Sequence, residues 1–116
     1  MKDYNYKYRV LAESYNCLST FEFMDQDAAT TNLCRLTKSG YKAGMYPVIH
    51  NTDPGMSDYT YRMFDIVKLI DQVGIVLCEG PDVEPEFHGF RNEVEDALAY
   101  IDNYYYEKEK ENKNNG

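Results

Sequence analysis

Residues 75–78 read Ile-Val-Leu-Cys, an unbroken apolar run that follows Gly74 and is stopped by Glu79-Gly80-Pro81-Asp82. Four consecutive apolar residues rich in branched side chains fit a strand covered on both faces. Upstream, Tyr59, Met63, Ile66, Ile70 and Val73 recur at spacings of three and four with Val67 beside them, while Arg62, Asp65, Lys68 and Gln72 fall opposite. That rhythm predicts a helix over residues 59–73 with Ser57 or Asp58 as its cap, and Gly74 stands where a left-handed residue ends a helix. Helix, glycine and buried strand are therefore the expected centre of the core.

The rest of the chain is read around that centre. Tyr4, Tyr6, Tyr8, Val10 and Ala12 alternate with Asn5, Lys7, Arg9 and Leu11. A period of two predicts a strand whose tyrosines pack in the core. Residues 18–24 predict a second strand after the break at Ser14-Tyr15-Asn16, so the pair forms a hairpin. Asp25 caps a short helix through Ala29, Leu33 and Leu36, ended by Lys38-Ser39-Gly40. Residues 41–49 return to an extended pattern, which Pro47 assigns to an edge, and residues 50–55 are dense in turn formers. A last helix begins between Pro85 and Phe90, with Phe90, Val94, Ala97, Leu98, Ile101, Tyr104 and Tyr105 on its apolar face.

The expected fold is α+β, with about four strands in a small mixed or antiparallel sheet and three helices, in the order β-β-α-β-α-β-α. Residues 1–106 form one domain and residues 107–116 a charged polar tail, in a chain of 116 residues that is long enough to bury a core without staples. No apolar stretch approaches the ~20 residues needed to cross a bilayer. Cys17, Cys34 and Cys78 are odd in number, far apart and in two cases inside apolar patterns, which fits buried reduced thiols in a cytoplasmic protein.

Charge supplies the sharpest functional signal. The formal net charge is −8, but residues 1–50 carry a net +1 and residues 51–116 a net −9. Between residues 79 and 107, nine acids face the single base Arg91. Such a surface repels phosphate backbones, so direct nucleic-acid binding is disfavoured and a basic protein surface is the natural complement. On the last helix, Glu95, Asp102 and Glu109 are seven apart, Asp96, Asn103 and Glu107 form the next row, and Tyr100 and Tyr106 stand among them. Glu95, Asp96, Tyr100, Asp102, Tyr106 and Glu107 are thus the predicted partner-binding residues. Tyrosine offers contact area at low entropic cost and carboxylates steer association with cations. The plain alternative is an ordinary solvated helix, against which the scarcity of compensating lysine argues.

No enzyme motif stands out. Cys17, Cys34, Cys78, His50 and His88 lack the close spacing that gives two metal ligands from one turn, so no metal and no cofactor is expected. Cys78, at the end of its strand, is the one candidate nucleophile, with His88 or His50 as base. Asp82, Glu84 and Glu86 lack the pattern of a calcium loop.

Three functions follow. The first is an acidic protein-binding module that docks its second half on a basic surface; one form of it is a viral or mobile-element inhibitor that presents carboxylates where a nucleic-acid enzyme binds phosphates. The second is a self-associating structural subunit using Tyr61, Phe64 and Leu69, the apolar residues off the main face of the predicted helix. The third is a small enzyme or ligand-binding domain built on Cys78.

Overall fold

A computed structural model describes residues 6–15, 17–51 and 57–115. The chain divides into two compact units, Met1–His50 and Asn51–Gly116, a division that falls where the charge changes character.

The first unit contains β1 (Tyr6–Ser14), β2 (Cys17–Phe23), α1 (Gln26–Lys38) and β3 (Lys42–His50). β1 lies between β2 and β3, antiparallel to both. The hairpin and the helix lie where alternation and capping residues put them. Asp25 Oδ1 accepts the Asp27 amide, while at the far end the Gly40 and Tyr41 amides donate to the Thr37 and Leu36 carbonyls. That pair of bonds is a Schellman closure, and Gly40 supplies its left-handed residue at φ 96°. The period-two reading of β1 is incomplete in one respect. Arg9 and Leu11 are buried together with Val10 and Ala12, so both faces of β1 are covered, and Arg9 pairs at 2.7 Å with Glu22, its neighbour in register. Tyr4 lies outside the described residues, as do residues 52–56 of the predicted loop.

The second unit departs from expectation. It contains β4 (Tyr59–Tyr61), β5 (Phe64–Lys68), β6 (Val73–Leu77), β7 (Glu86–Arg91) and α2 (Val94–Asn115). Its four strands run antiparallel in sequence order. The described residues therefore hold seven strands and two helices, with every described pairing antiparallel, instead of about four strands and three helices.

The predicted helix over residues 59–73 is a β-hairpin followed by a loop. Arg62 and Met63 form its two-residue turn with φ of 48° and 71°, the left-handed pair of a type I′ connection. This turn resets the alternation: Tyr61 and Phe64 are paired in register, and Tyr61, Phe64 and Ile66 are all fully buried. A phase jump of this kind imitates helical spacing, although Tyr, Thr, Phe, Ile and Val favour strands. Met63 and Ile70, expected in the core, are exposed, Ile70 completely. Asp58 caps no helix; its Oδ2 accepts the Lys68 amide at 2.7 Å, closing the open end of the hairpin.

The start of the predicted last helix is likewise a strand. Residues 86–91 pair with β6, and helical structure begins only at Val94. Ile75 faces Gly89 and Val76 faces Phe87, so His88 is an extra residue in a β-bulge beside Gly89, whose φ is 104°. Residues 107–115, predicted as part of a tail, continue α2.

α2 packs on one face of this sheet, against β5, β6 and β7. Ala97, Leu98 and Ile101 meet Phe64, Ile66, Val73, Ile75 and Leu77 in a buried core. Phe64 is ringed edge-on by His88, Tyr104 and Tyr105.

Candidate functional site

The buried stripe of α2 is wider than the sequence assigns and takes in residues expected on the outer face. Buried Ala97, Leu98, Ile101 and Tyr106 define the stripe, and Asp102, at 2% exposure, lies within it. Heptad spacing correctly aligns Asp102 with Glu95 and Glu109 along the helix, but the line runs along the edge of the buried stripe instead of opposite it. Asp102 Oδ1 accepts a 2.6 Å hydrogen bond from the Tyr61 hydroxyl and a longer one, 3.4 Å, from Arg62. Arg62 also lies 4.4 Å from the centre of the Tyr105 ring, and the Tyr105 hydroxyl donates to the Arg62 carbonyl. Burial raises the Tyr105 hydroxyl above its usual pKa, with Arg62 opposing. These contacts pin α2 to the left-handed β4–β5 turn. Asp102 and Tyr106 are thus turned inward, whereas Glu95, Asp96 and Glu107 are exposed.

Tyr100 joins the two groups. Half-buried, it places its hydroxyl 2.7 Å from His88 Nδ1. Its ring lies 4.6 Å from the Arg91 guanidinium, which also donates to the Phe90 carbonyl at 2.6 Å. Glu86 Oε1 approaches His88 Nε2 to 3.0 Å, near enough for an ion pair when the ring is protonated, but off the direction of a hydrogen bond, so Nε2 has no hydrogen-bond partner. The bulge at His88 makes this arrangement, turning the imidazole inward among Phe64, Tyr100 and Tyr104.

Between β7 and α2 lies an open groove of about 570 Å³, lined by Phe90, Arg91, Asn92, Asp96, Ala99 and Tyr100. It brings together two of the predicted partner-binding residues, Asp96 and Tyr100, with Phe90 and Arg91, which sequence reasoning placed inside or before a helix. Asp96 and Glu95 occupy the first turn of α2, where the helix dipole favours negative charge. The groove thus combines the Asp96 carboxylate with the Tyr100 ring, over which the protein's own Arg91 guanidinium is stacked.

Of the thiols expected to be buried, Cys17 and Cys34 are exposed and Cys78, which lies away from the groove, is half-buried. Its thiol donates to Asp65 Oδ2 at 3.2 Å, and this bond, partial burial and the carboxylate charge all raise its pKa above the ordinary thiol value. A neighbouring carboxylate suppresses the thiolate that nucleophilic catalysis requires. His88 belongs to the opposite face of the sheet, with Phe64, and does not serve Cys78 as a base. The residues considered for self-association also separate: Tyr61 and Phe64 are core, and Leu69 is exposed beside Ile70 at the β5–β6 loop. Among the described residues, no three His, Cys, Asp or Glu side chains are grouped to hold a metal ion, and no helix is long and apolar enough to cross a membrane. No protein-family model, curated protein or solved structure matches the chain.

Proposed function

We propose that this protein is an acidic protein-binding module of the cytoplasm that docks the solvent side of α2 and the adjoining β7–α2 groove on a basic partner. The observation that carries the reading is the groove itself, where Asp96 and Tyr100 stand beside exposed Phe90. Carboxylate, aromatic surface and apolar surface are the components of a steered and anchored interface. Exposed Glu95 and Glu107 extend the negative surface along the helix. The excess of acid in residues 51–116 supplies long-range attraction, and the free cysteines Cys17, Cys34 and Cys78 accord with a reducing compartment. A nucleic-acid-binding enzyme, whose phosphate-binding cations the carboxylates would engage, is the partner class that this charge favours.

The test is affinity capture followed by mass spectrometry, comparing the wild type with the triple variant Glu95→Lys, Asp96→Lys, Glu107→Lys at low and moderate salt. Asp102 stays unchanged because it is structural. A basic partner retained by the wild type, weakened by salt and lost by the variant supports the reading, and competition by duplex DNA for that partner identifies a nucleic-acid site. Equal retention of the same partner by the reversed variant refutes it.

A further inference from the structure

The outward face of β5–β7, opposite α2, is apolar and is exposed at Val67, Phe87 and Phe90, with Asp65 and Val76 half-buried and Gly74 buried. In register, it presents Asp65 and Val67 from β5, Gly74 and Val76 from β6, and Phe87 and Phe90 from β7. In a regular strand, residues 87 and 90 would point to opposite faces. The bulge at His88 adds the residue that brings both rings to the same side, with centroids 5.0 Å apart. Neither ring is covered: Phe87 is 57% and Phe90 46% exposed, with Val67 at 37%. Both rings lie over buried Gly74, where a β-carbon would meet them at an ordinary contact distance of 3.7–3.8 Å.

The geometry points to this face as a second docking surface, reached from the groove around the β7 edge at Phe90 and occupied by a cationic amphipathic helix of the partner. The inference rests on the acidic-module reading and names the partner's shape and chemistry. Dimensions favour a helix: the patch crosses three adjacent strands, or two spacings of about 4.8 Å, which matches roughly two helical turns of about 5.4 Å each. Charge gives the sign. The six outward residues include one carboxylate, Asp65, and no cation. Asp65 lies at the end of the sheet where the β6–β7 connection carries Glu79, Asp82 and Glu84, all exposed except for partial cover at Asp65 itself. At the opposite end, Phe90 also lines the groove that contains both Asp96 and Arg91, so the net negative charge lies at the β6–β7 end. An apolar stripe with carboxylates along one end matches a helix whose leucine-like face is bordered on that side by lysine or arginine.

The probe is a labelled synthetic helical peptide of leucine and lysine with every leucine on one face, set against a scrambled isomer of the same composition. The full chain is titrated by fluorescence anisotropy and by amide chemical-shift mapping. The amphipathic peptide is expected to bind at least about tenfold more tightly than its isomer and to shift amides in β5, β6 and β7. Phe87→Ala with Phe90→Ala should weaken it about tenfold or more, as removal of paired aromatic anchors does. Val67→Lys, which adds a cation without removing core packing, should do the same and guards against a folding artefact. Equal binding of the isomer, wild-type binding by both face variants, or shifts confined to α2 would overturn the inference. Failure of the two readings is separable: if the face variants bind the peptide normally while the Glu95, Asp96, Glu107 reversal loses its captured partner, the acidic surface stands and the apolar face falls. A wild-type dimer in sedimentation that Val67→Lys dissociates would assign the face to a second copy and also overturn the inference.

Discussion

At the scale of single residues, burial decides what a carboxylate does. Asp102 and Asp96 have the same chemistry and sit less than two helical turns apart, yet one is sealed under Tyr61 and Arg62 while the other faces solvent. Asp102→Ala would leave the buried Tyr61 hydroxyl without this acceptor and remove the carboxylate from Arg62. The expected loss is about 2–4 kcal/mol in equilibrium denaturation, a large part of a typical domain's stability. Reversal of Asp102 to lysine would therefore report unfolding and say nothing about docking. Asp65 offers a second residue-scale test. It holds the Cys78 thiol above its usual pKa by accepting its hydrogen and by its charge, so the thiol stays protonated to higher pH than an ordinary cysteine. Asp65→Asn removes the charge and lowers that pKa, so alkylation of Cys78 by iodoacetamide should speed up at pH about 8–9, where ordinary thiols titrate. An unchanged rate would show that burial alone protects the thiol.

At the scale of elements, two short irregularities organise the second unit. The Arg62-Met63 turn places two ordinary residues in left-handed backbone, a conformation costing roughly 1–2 kcal/mol per residue, and the contacts from Asp102 and Tyr105 hold it. The His88 bulge sends one imidazole inward and two phenyl rings outward from the same strand. Gly89 makes the bulge possible: a β-carbon would have room, its nearest contact being the Arg91 side chain at 3.7 Å, so the obstacle is the backbone at φ 104°. Gly89→Ala is expected to destabilise the protein by about 1–3 kcal/mol in denaturant titration and to change the near-ultraviolet circular dichroism of the aromatic cluster. Sequence reasoning found elements whose signals are local. Asp25 and Gly40 mark both ends of α1, and alternation marks β1 and β2. It missed the hairpin of β4 and β5 because the turn carries no Asn-Gly or Asp-Gly signal, and because a two-residue turn between alternating strands reproduces spacings of three and four. It missed β7 because one extra residue spoils the alternation of Phe87 and Phe90, which then resembles the first turn of the helix that follows.

At the scale of the whole molecule, the net charge of residues 51–116 is −9 against +1 for residues 1–50, and self-repulsion in the acidic unit should weaken it at low ionic strength. Melting temperature is expected to rise when salt increases from about 10 mM to about 150 mM, as the screening length falls from roughly 30 to 8 Å. A flat response would mean that internal pairing already balances the acids. The sequence by itself determined the charge division, the capped helix, a buried strand read at residues 75–78 and found at 73–77, and the long acidic helix, because composition, capping and apolar runs act over a few residues. Only the tertiary structure decided which side of α2 is buried, that Asp102 is a structural group, and that Phe87 and Phe90 share one outward face. Those outcomes depend on strand register and on contacts between residues some forty positions apart, such as Tyr61 with Asp102. A local pattern constrains which residues share a face, but the direction of that face is set by what packs against it.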